Sequence, residues 1–189
     1  MSPLPADHFE DHYRDSDDPW NYAGSWYEQR KYQLTVASLP NECYRSAFEP
    51  GCSIGVLTER LAPRCQRLLA ADMERQAVDL AGPRVKHLDH VEVVTMRVPD
   101  EWPTGRFDLI VLSEFGYYLD PVGLDRLFDA TVASLETGGH VVAVHWRGHA
   151  DDYLVPGDAV HERLLAAAGL DPLVHHVEDQ FRLDVLERR

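Results

Sequence analysis

The run AFEPGCSIGVLTERLA, residues 47–62, decides the fold. It starts apolar and strand-like at Ala47 and Phe48, meets an acid at Glu49, turns through Gly51-Cys52-Ser53-Ile54-Gly55, and continues in a helical pattern. In α/β proteins a strand that hands over to a helix through a glycine-bounded turn holds nucleotide-like ligands. Glycine permits the tight turn, and the helix N-terminus offers free N–H groups. Ser53 stands where a dinucleotide turn needs its middle glycine, and no lysine follows, as a phosphate loop would require. Glu49 puts negative charge at the mouth, which repels phosphates and welcomes an ammonium group.

Strand and helix signals alternate around this stretch. Strands are predicted at YRSAFE (44–49), QRLLAADM (66–73), VEVVTM (91–96), FDLIVLSE (107–114) and HVVAVHW (140–146). Helices are predicted at 53–63, at 74–82 with a stop at Gly82-Pro83, at 121–139 with a stop at Gly138-Gly139, and at 157–169. LVHHVED (173–179) and FRLDVLER (181–188) follow one another with no helix between them, so that pair is expected to be antiparallel. The pattern predicts an α/β fold with three αβα layers and a mostly parallel, Rossmann-like sheet. Residues 1–19 are polar, read as a flexible segment, and residues 20–189 as one domain. Within it, residues 20–40 carry Trp20, Tyr22, Trp26 and Tyr27 ahead of a helix capped by Ser25, which suits a cover over a ligand.

Composition narrows the partners. The 189 residues are 44% hydrophobic, enough for one sizeable core, and carry a net charge of −14. That charge opposes nucleic acid and suits a cationic or neutral small molecule. Three cysteines without a close pair, and ten histidines without an HExxH motif, point to no zinc centre and no disulfide framework. His175 and His176 are neighbours on a predicted strand, face opposite sides and cannot share an ion, so no metal is expected. No signal-peptide pattern and no run of about 18 apolar residues is present, so a cytoplasmic protein without a membrane role is expected, as a monomer or homodimer.

Ligands of such sheets sit beyond the carboxyl ends of the strands. The residues there are Glu49 to Gly55, Asp72 and Met73, Arg97 and Val98, Ser113 to Tyr118, and His145 to Tyr153. Asp72 ends the second strand, where a carboxylate can accept both hydroxyls of a ribose. S-adenosylmethionine combines a ribose with an ammonium, a sulfonium and an adenine and has no phosphate, so it fits both acids. A nicotinamide-dependent oxidoreductase and a non-catalytic cofactor-binding protein are the competing readings.

The stretches DPWNYAGSWYEQRKY (18–32), FEPGCSIGVLTERLA (48–62), FDLIVLSEFGYYL (107–119) and GGHVVAVHWRG (138–148) resemble class I S-adenosylmethionine-dependent methyltransferases, and more narrowly the nodulation protein S (NodS) N-methyltransferases. The resemblance implies a seven-stranded sheet with the last strand reversed, S-adenosylmethionine as cofactor, S-adenosylhomocysteine as product, and an amine acceptor such as an amino sugar. It implies that Glu49, Gly51 and Gly55, with Cys52 and Ser53 between them, face the methionine part, that Asp72 holds the ribose beside Met73, and that the backbone of Val98 lies by the adenine. Arg97 departs from the acid that relatives show there. Trp20, Tyr22 and Arg30 match the amino-terminal motif, with Arg30 placed to pair with the cofactor carboxylate. Ser113 and Glu114 complete the set at the fourth strand exit.

Methyl transfer needs no nucleophilic side chain; the protein aligns and dehydrates the partners. Trp20, Tyr22, Tyr117 and Tyr118 can supply aromatic faces to a sulfonium. A protonated amine must lose its proton before attack, and Glu114, His145 and Tyr117 are the candidate catalytic groups. Glu114 can also orient an ammonium without acting as base. His149, Asp151, Asp152 and Tyr153 either shape an acceptor pocket or face solvent.

Overall fold

The computed structural model describes residues 8–189. Apolar runs bounded by turn signals become the strands β1 (Ala47–Pro50), β2 (Leu68–Asp72), β3 (Val91–Thr95), β4 (Phe107–Ser113), β5 (Leu135–Trp146), β6 (Leu170–Val177) and β7 (Phe181–Arg188). They form one sheet in the order β3-β2-β1-β4-β5-β7-β6. The first five are parallel, and β7 runs antiparallel to both its neighbours. The chain reverses its direction of sheet growth between β1 and β4, so their carboxyl ends open a crevice there.

Among the described residues six α-helices accompany the sheet: α1 (Glu10–Asp15), α2 (Trp26–Ser38), α3 (Val56–Leu61), α4 (Arg75–Val85), α5 (Pro121–Ser134) and α6 (Gly157–Leu165). Two-residue alternation along the strands builds a core on each face. Leu109 and Val111 of β4 pack with Leu57, Leu61 and Ala77 of α3 and α4 and with Tyr32 of α2. Ile110 and Leu112 of the same strand pack with Leu124 and Leu127 of α5 and Val160 of α6. Ser25 caps α2 by accepting from the Glu28 N–H, and Asp120 caps α5 by accepting from the Gly123 N–H, with Pro121 in the first turn.

Several helix ends differ from expectation: α3 is shorter than 53–63, and α6 stops at Leu165 instead of 169. α4 runs through Gly82-Pro83 to Val85. Pro83 lies so near the end that it removes a single helical bond, and burial of Ala81 and Val85 outweighs that loss. α5 stops at Ser134, because Leu135 turns extended and pairs with Phe107. Residues 136–139 form a bulge opposite Asp108, across which the register steps from Phe107–Leu135 to Leu109–His140. Residues 1–7 of the segment read as flexible lie outside the described residues. Residues 10–15 form α1, whose Tyr13 is only 3% exposed, because its ring packs edge-on against Trp20. Among the described residues no helix is long and apolar enough to cross a membrane.

Candidate functional site

The crevice at the β1/β4 reversal holds a cavity of about 350 Å³, of the size that takes small molecules. A compartment of about 40 Å³ adjoins it, and Tyr22, Gly51, Ser53 and Glu114 border both. The turn after β1 forms the floor. Gly51 has φ +72, and a Cβ on it would come within 2.9 Å of the Phe115 ring, so only glycine fits without displacing that ring. Gly51→Ala should cost about 1–3 kcal/mol in thermal unfolding. An unchanged Tm would show that the ring yields freely.

Ser53 also sits at positive φ, and its N–H donates to Asp72 Oδ2 at 2.8 Å. The Glu74 N–H donates to the other oxygen, Oδ1, at 2.9 Å. Asp72 is thereby fixed at the cavity wall by backbone donors, with Met73 adding a third. Gly55 starts α3 at φ +77, and the Cys52 N–H donates to Ala71 O. Tyr13 reaches over the turn and shares a 2.6 Å hydrogen bond with Ser53 Oγ.

Glu49 lies at the smaller compartment, 1% exposed, and its Oε2 has no hydrogen-bond partner. Burial pushes its carboxyl up to about 8. The nearby Thr58 hydroxyl draws the carboxyl back only in part, so the buried acid is served best by a ligand that brings a further donor, as the ammonium of an amino acid does. The residues present therefore fit S-adenosylmethionine: a donor-seeking acid for its ammonium, and Asp72 for its ribose. Met73, Arg97 and Val98 line the larger cavity beyond Asp72, and the Arg97 N–H is bound by Glu101. Ser113 lines the smaller compartment. Trp20 and Tyr22 stack at 5.6 Å and line the larger cavity, their loop held by Asp18, which accepts from the N–H groups of Tyr22 and Ala23.

Arg30 is a correction. Its guanidinium makes a two-pronged pair with Glu178 at 2.7 Å and does not line the cavity, since α2 turns this residue toward the loop between β6 and β7. Its neighbour Lys31 points inward and is 1% exposed. The Lys31 Nζ donates to Glu28 at 2.9 Å and to Glu114 Oε1 at 2.5 Å, and lies 4.9 Å from the centre of the Tyr27 ring. Burial favours the neutral amine, but the two carboxylates outweigh it and keep the ammonium charged. The sequence reading missed this cluster. The sequence carries no signal for it, since a capping pattern marks where α2 starts and not which way Lys31 points.

Glu114 sits on the cavity wall at φ +59, a strained position for a residue with a side chain. Its Oε2 accepts from the Tyr117 hydroxyl at 2.6 Å and from the Trp146 N–H at 3.0 Å. Burial, and then Glu114 itself, raise the Tyr117 phenol far above its ordinary value, so it stays protonated as a donor. Tyr117 stacks on Tyr153 at 3.8 Å and does not line the cavity; Tyr118 does. Tyr117 thus orients Glu114 and shows no face to the cavity, which corrects its expected place among the aromatic faces at a sulfonium.

His145 is the other correction. It is fully buried, and both ring nitrogens are engaged. Nε2 accepts from the Gly116 N–H at 3.2 Å, so Nδ1 carries the hydrogen, which it donates to His161 Nε2 at 3.1 Å. His161 Nδ1 then donates to Asp184 Oδ2 at 2.7 Å. Burial and the neighbouring His161 push His145 well below its usual range, and with no lone pair facing the cavity it cannot act as base. Asp184 is itself buried and also bound by Arg182 at 2.8 Å and His175 at 2.5 Å. Burial raises its carboxyl, but the hydrogen bonds from His161 and His175 prevail and hold it low. Its stabilisation is present above the ordinary carboxylate range and fades as the pH falls through its lowered value. Asp184→Asn should cost about 2–3 kcal/mol at pH 7, with the gap to the parent narrowing in acid melts.

Residues 7–143 match the profile of the family described as Nodulation protein S (NodS). The chain belongs to the NodS family. It is 35% identical to NodS of Rhizobium tropici over 129 residues, which are 67% of this chain and 54% of that protein. It spans about half the length of the curated NodS relatives it matches. The NodS crystal structure from Bradyrhizobium japonicum WM9 with S-adenosylhomocysteine superposes with a TM-score of 0.84 at 25% identity, covering 95% of this chain and 97% of that one. A Pseudomonas syringae structure provisionally described as a methyltransferase is 44% identical, with a TM-score of 0.78 over 87% of this chain and 100% of that one. The seven-stranded sheet with its reversed last strand is therefore the fold of NodS.

Proposed function

We propose that this chain is an S-adenosylmethionine-dependent N-methyltransferase acting on the amine of a small molecule. The observation that carries the reading is Glu49: a buried acid with an unpartnered oxygen, beside a turn built from Gly51 and Ser53 and facing Asp72. Likeness to NodS, solved with S-adenosylhomocysteine, supports it. In this reading residues 20–189 act as one methyltransferase domain, with segment 20–40 as its cover.

Glu49 holds the ammonium of the methionine part, and Asp72 accepts from the ribose hydroxyls. Arg97 and Val98 flank the adenine end. When bound, the cofactor supplies a methyl group on a cationic sulfur that leaves as a neutral thioether. Trp20, Tyr22 and Tyr118 exclude water and offer aromatic faces to positive charge. Glu114, steadied by Lys31, Tyr117 and the Trp146 N–H, orients the acceptor ammonium and takes its proton.

Calorimetry with S-adenosylhomocysteine should give one site per chain, and NADH should not compete. Transfer of labelled methyl to a panel of small amines should follow. Glu114→Gln should lower turnover by about a hundredfold or more while binding of S-adenosylhomocysteine persists. A folded protein that gives no heat with high-micromolar S-adenosylhomocysteine overturns the reading.

A further inference from the structure

We propose that His8, His12 and Asp152 bind a divalent transition-metal ion of the zinc type at the rim of the cavity, apart from the methyl-transfer chemistry. One ligand atom from each of the three lies within 4.8 Å of the other two. They come from distant parts of the chain. His8 and His12 are four residues apart, a spacing that places two imidazoles on one side of the helical turn entering α1. Asp152 belongs to the loop between β5 and α6.

His8 Nε2 and Asp152 Oδ2 already stand 3.0 Å apart. Tetrahedral zinc with ligand distances near 2.0–2.1 Å separates its ligand atoms by about 3.3 Å, so small side-chain rotations complete the set. A His8–Asp152 hydrogen bond joins two of these residues, and the spacing of His12 from His8 brings the third ring beside them. Two imidazoles and one carboxylate favour zinc, cobalt, nickel or copper over magnesium or calcium, which prefer all-oxygen ligands. The fourth position is open to water. His8 and Asp152 side chains are 20% and 24% exposed and His12 is exposed, so an ion can reach them from solvent. The net charge of −14 raises the local concentration of cations.

Packing around the three is that of a supported site. The His8 ring sits edge-on to Phe9 at 4.8 Å, and the His12 ring lies 5.4 Å from Trp20. Phe9 and Trp20 both line the cavity, and Tyr13, next to His12, bonds to Ser53 of the turn. An ion at this place ties α1 to the β5–α6 loop across the cavity rim.

The test is calorimetric titration of the full chain, free of any affinity histidines, with zinc chloride, followed by visible absorption with cobalt. One zinc per chain and the intense absorption bands of low-coordinate cobalt are expected. His12→Ala and Asp152→Asn should each weaken zinc at least tenfold and remove the cobalt bands, and His87→Ala, at an exposed position elsewhere, should leave both intact. Both site positions are near the surface, and unchanged circular dichroism melts without metal will show that the variants fold. No stoichiometric zinc, or zinc binding that survives both His12→Ala and Asp152→Asn, overturns the proposal. Neither result bears on binding of S-adenosylhomocysteine.

Discussion

Glu49→Gln should weaken S-adenosylhomocysteine by about 30–150-fold, the worth of one charge-assisted hydrogen bond of about 2–3 kcal/mol, and at the same time stabilise the ligand-free protein at alkaline pH. Burial pushes this carboxyl up to about 8, so the folded state favours its neutral form. For a group raised above its unfolded value the stabilisation is complete below the ordinary carboxylate range and is lost as the pH climbs through about 8. The amide never ionises and escapes that loss. At pH 9 the variant should melt about 5 °C above the parent, and near pH 4 the two should coincide. Ligand binding should carry the mirror signature. The parent pairs its ionised carboxylate with an ammonium, so its affinity grows between pH 6 and 8 with proton release, and the variant stays flat. Equal affinity of the two proteins at pH 8 would remove Glu49 from the cofactor site.

The second large effect is expected at Lys31. Lys31→Met removes the ammonium shared by Glu28 and Glu114, whose side chains are only 9% and 8% exposed. Two buried carboxylates then face each other without a cation, which should cost about 3–5 kcal/mol. Adding Glu28→Gln to this variant removes one of the stranded charges and should restore a good part of the loss. Denaturant titrations of the four proteins of this double-mutant cycle measure the coupling directly. If Lys31→Met alone leaves the midpoint unmoved, the cluster does not hold Glu114 in place. Lys31→Arg is not expected to substitute, because the larger planar guanidinium does not fit a slot shaped for a compact ammonium.

Much of the architecture was legible because it follows from local rules. The glycine turn at 51–55 and the apolar run of β4 carry short-range signatures and appear where expected, and the helix-free β6–β7 connection gives the expected antiparallel pair, with β6 starting three residues earlier, at Leu170. The helix ends at Gly82-Pro83 and Gly138-Gly139 were misplaced, since burial of Val85 and pairing of Leu135 with Phe107 are long-range events that overrule local signals. The same division holds at the site. Glu49, Gly51, Ser53 and Asp72 were readable from strand ends and spacing, and they meet at the crevice. Lys31 was not, because a lysine on a helix gives no sign of which way it points; only the docking of α2 turns it inward. His145 stands at a strand exit and yet serves the interior, since its partners His161 and Asp184 arrive from α6 and β7.

That row from Gly116 through His145 and His161 to Asp184 has a consequence for how the sequence can drift. Each ring receives a hydrogen on one nitrogen and passes one on from the other, so every member fixes the tautomer of the next. Exchange of one histidine for an apolar residue strands a donor or an acceptor on its neighbour in a dry interior, whereas exchange of both for a well-packed apolar pair relieves the interior and leaves only the ends to be satisfied. The two histidines should therefore be inherited or lost together, as a single trait spread over two helical and strand segments, and intermediates that keep just one should be the unstable ones.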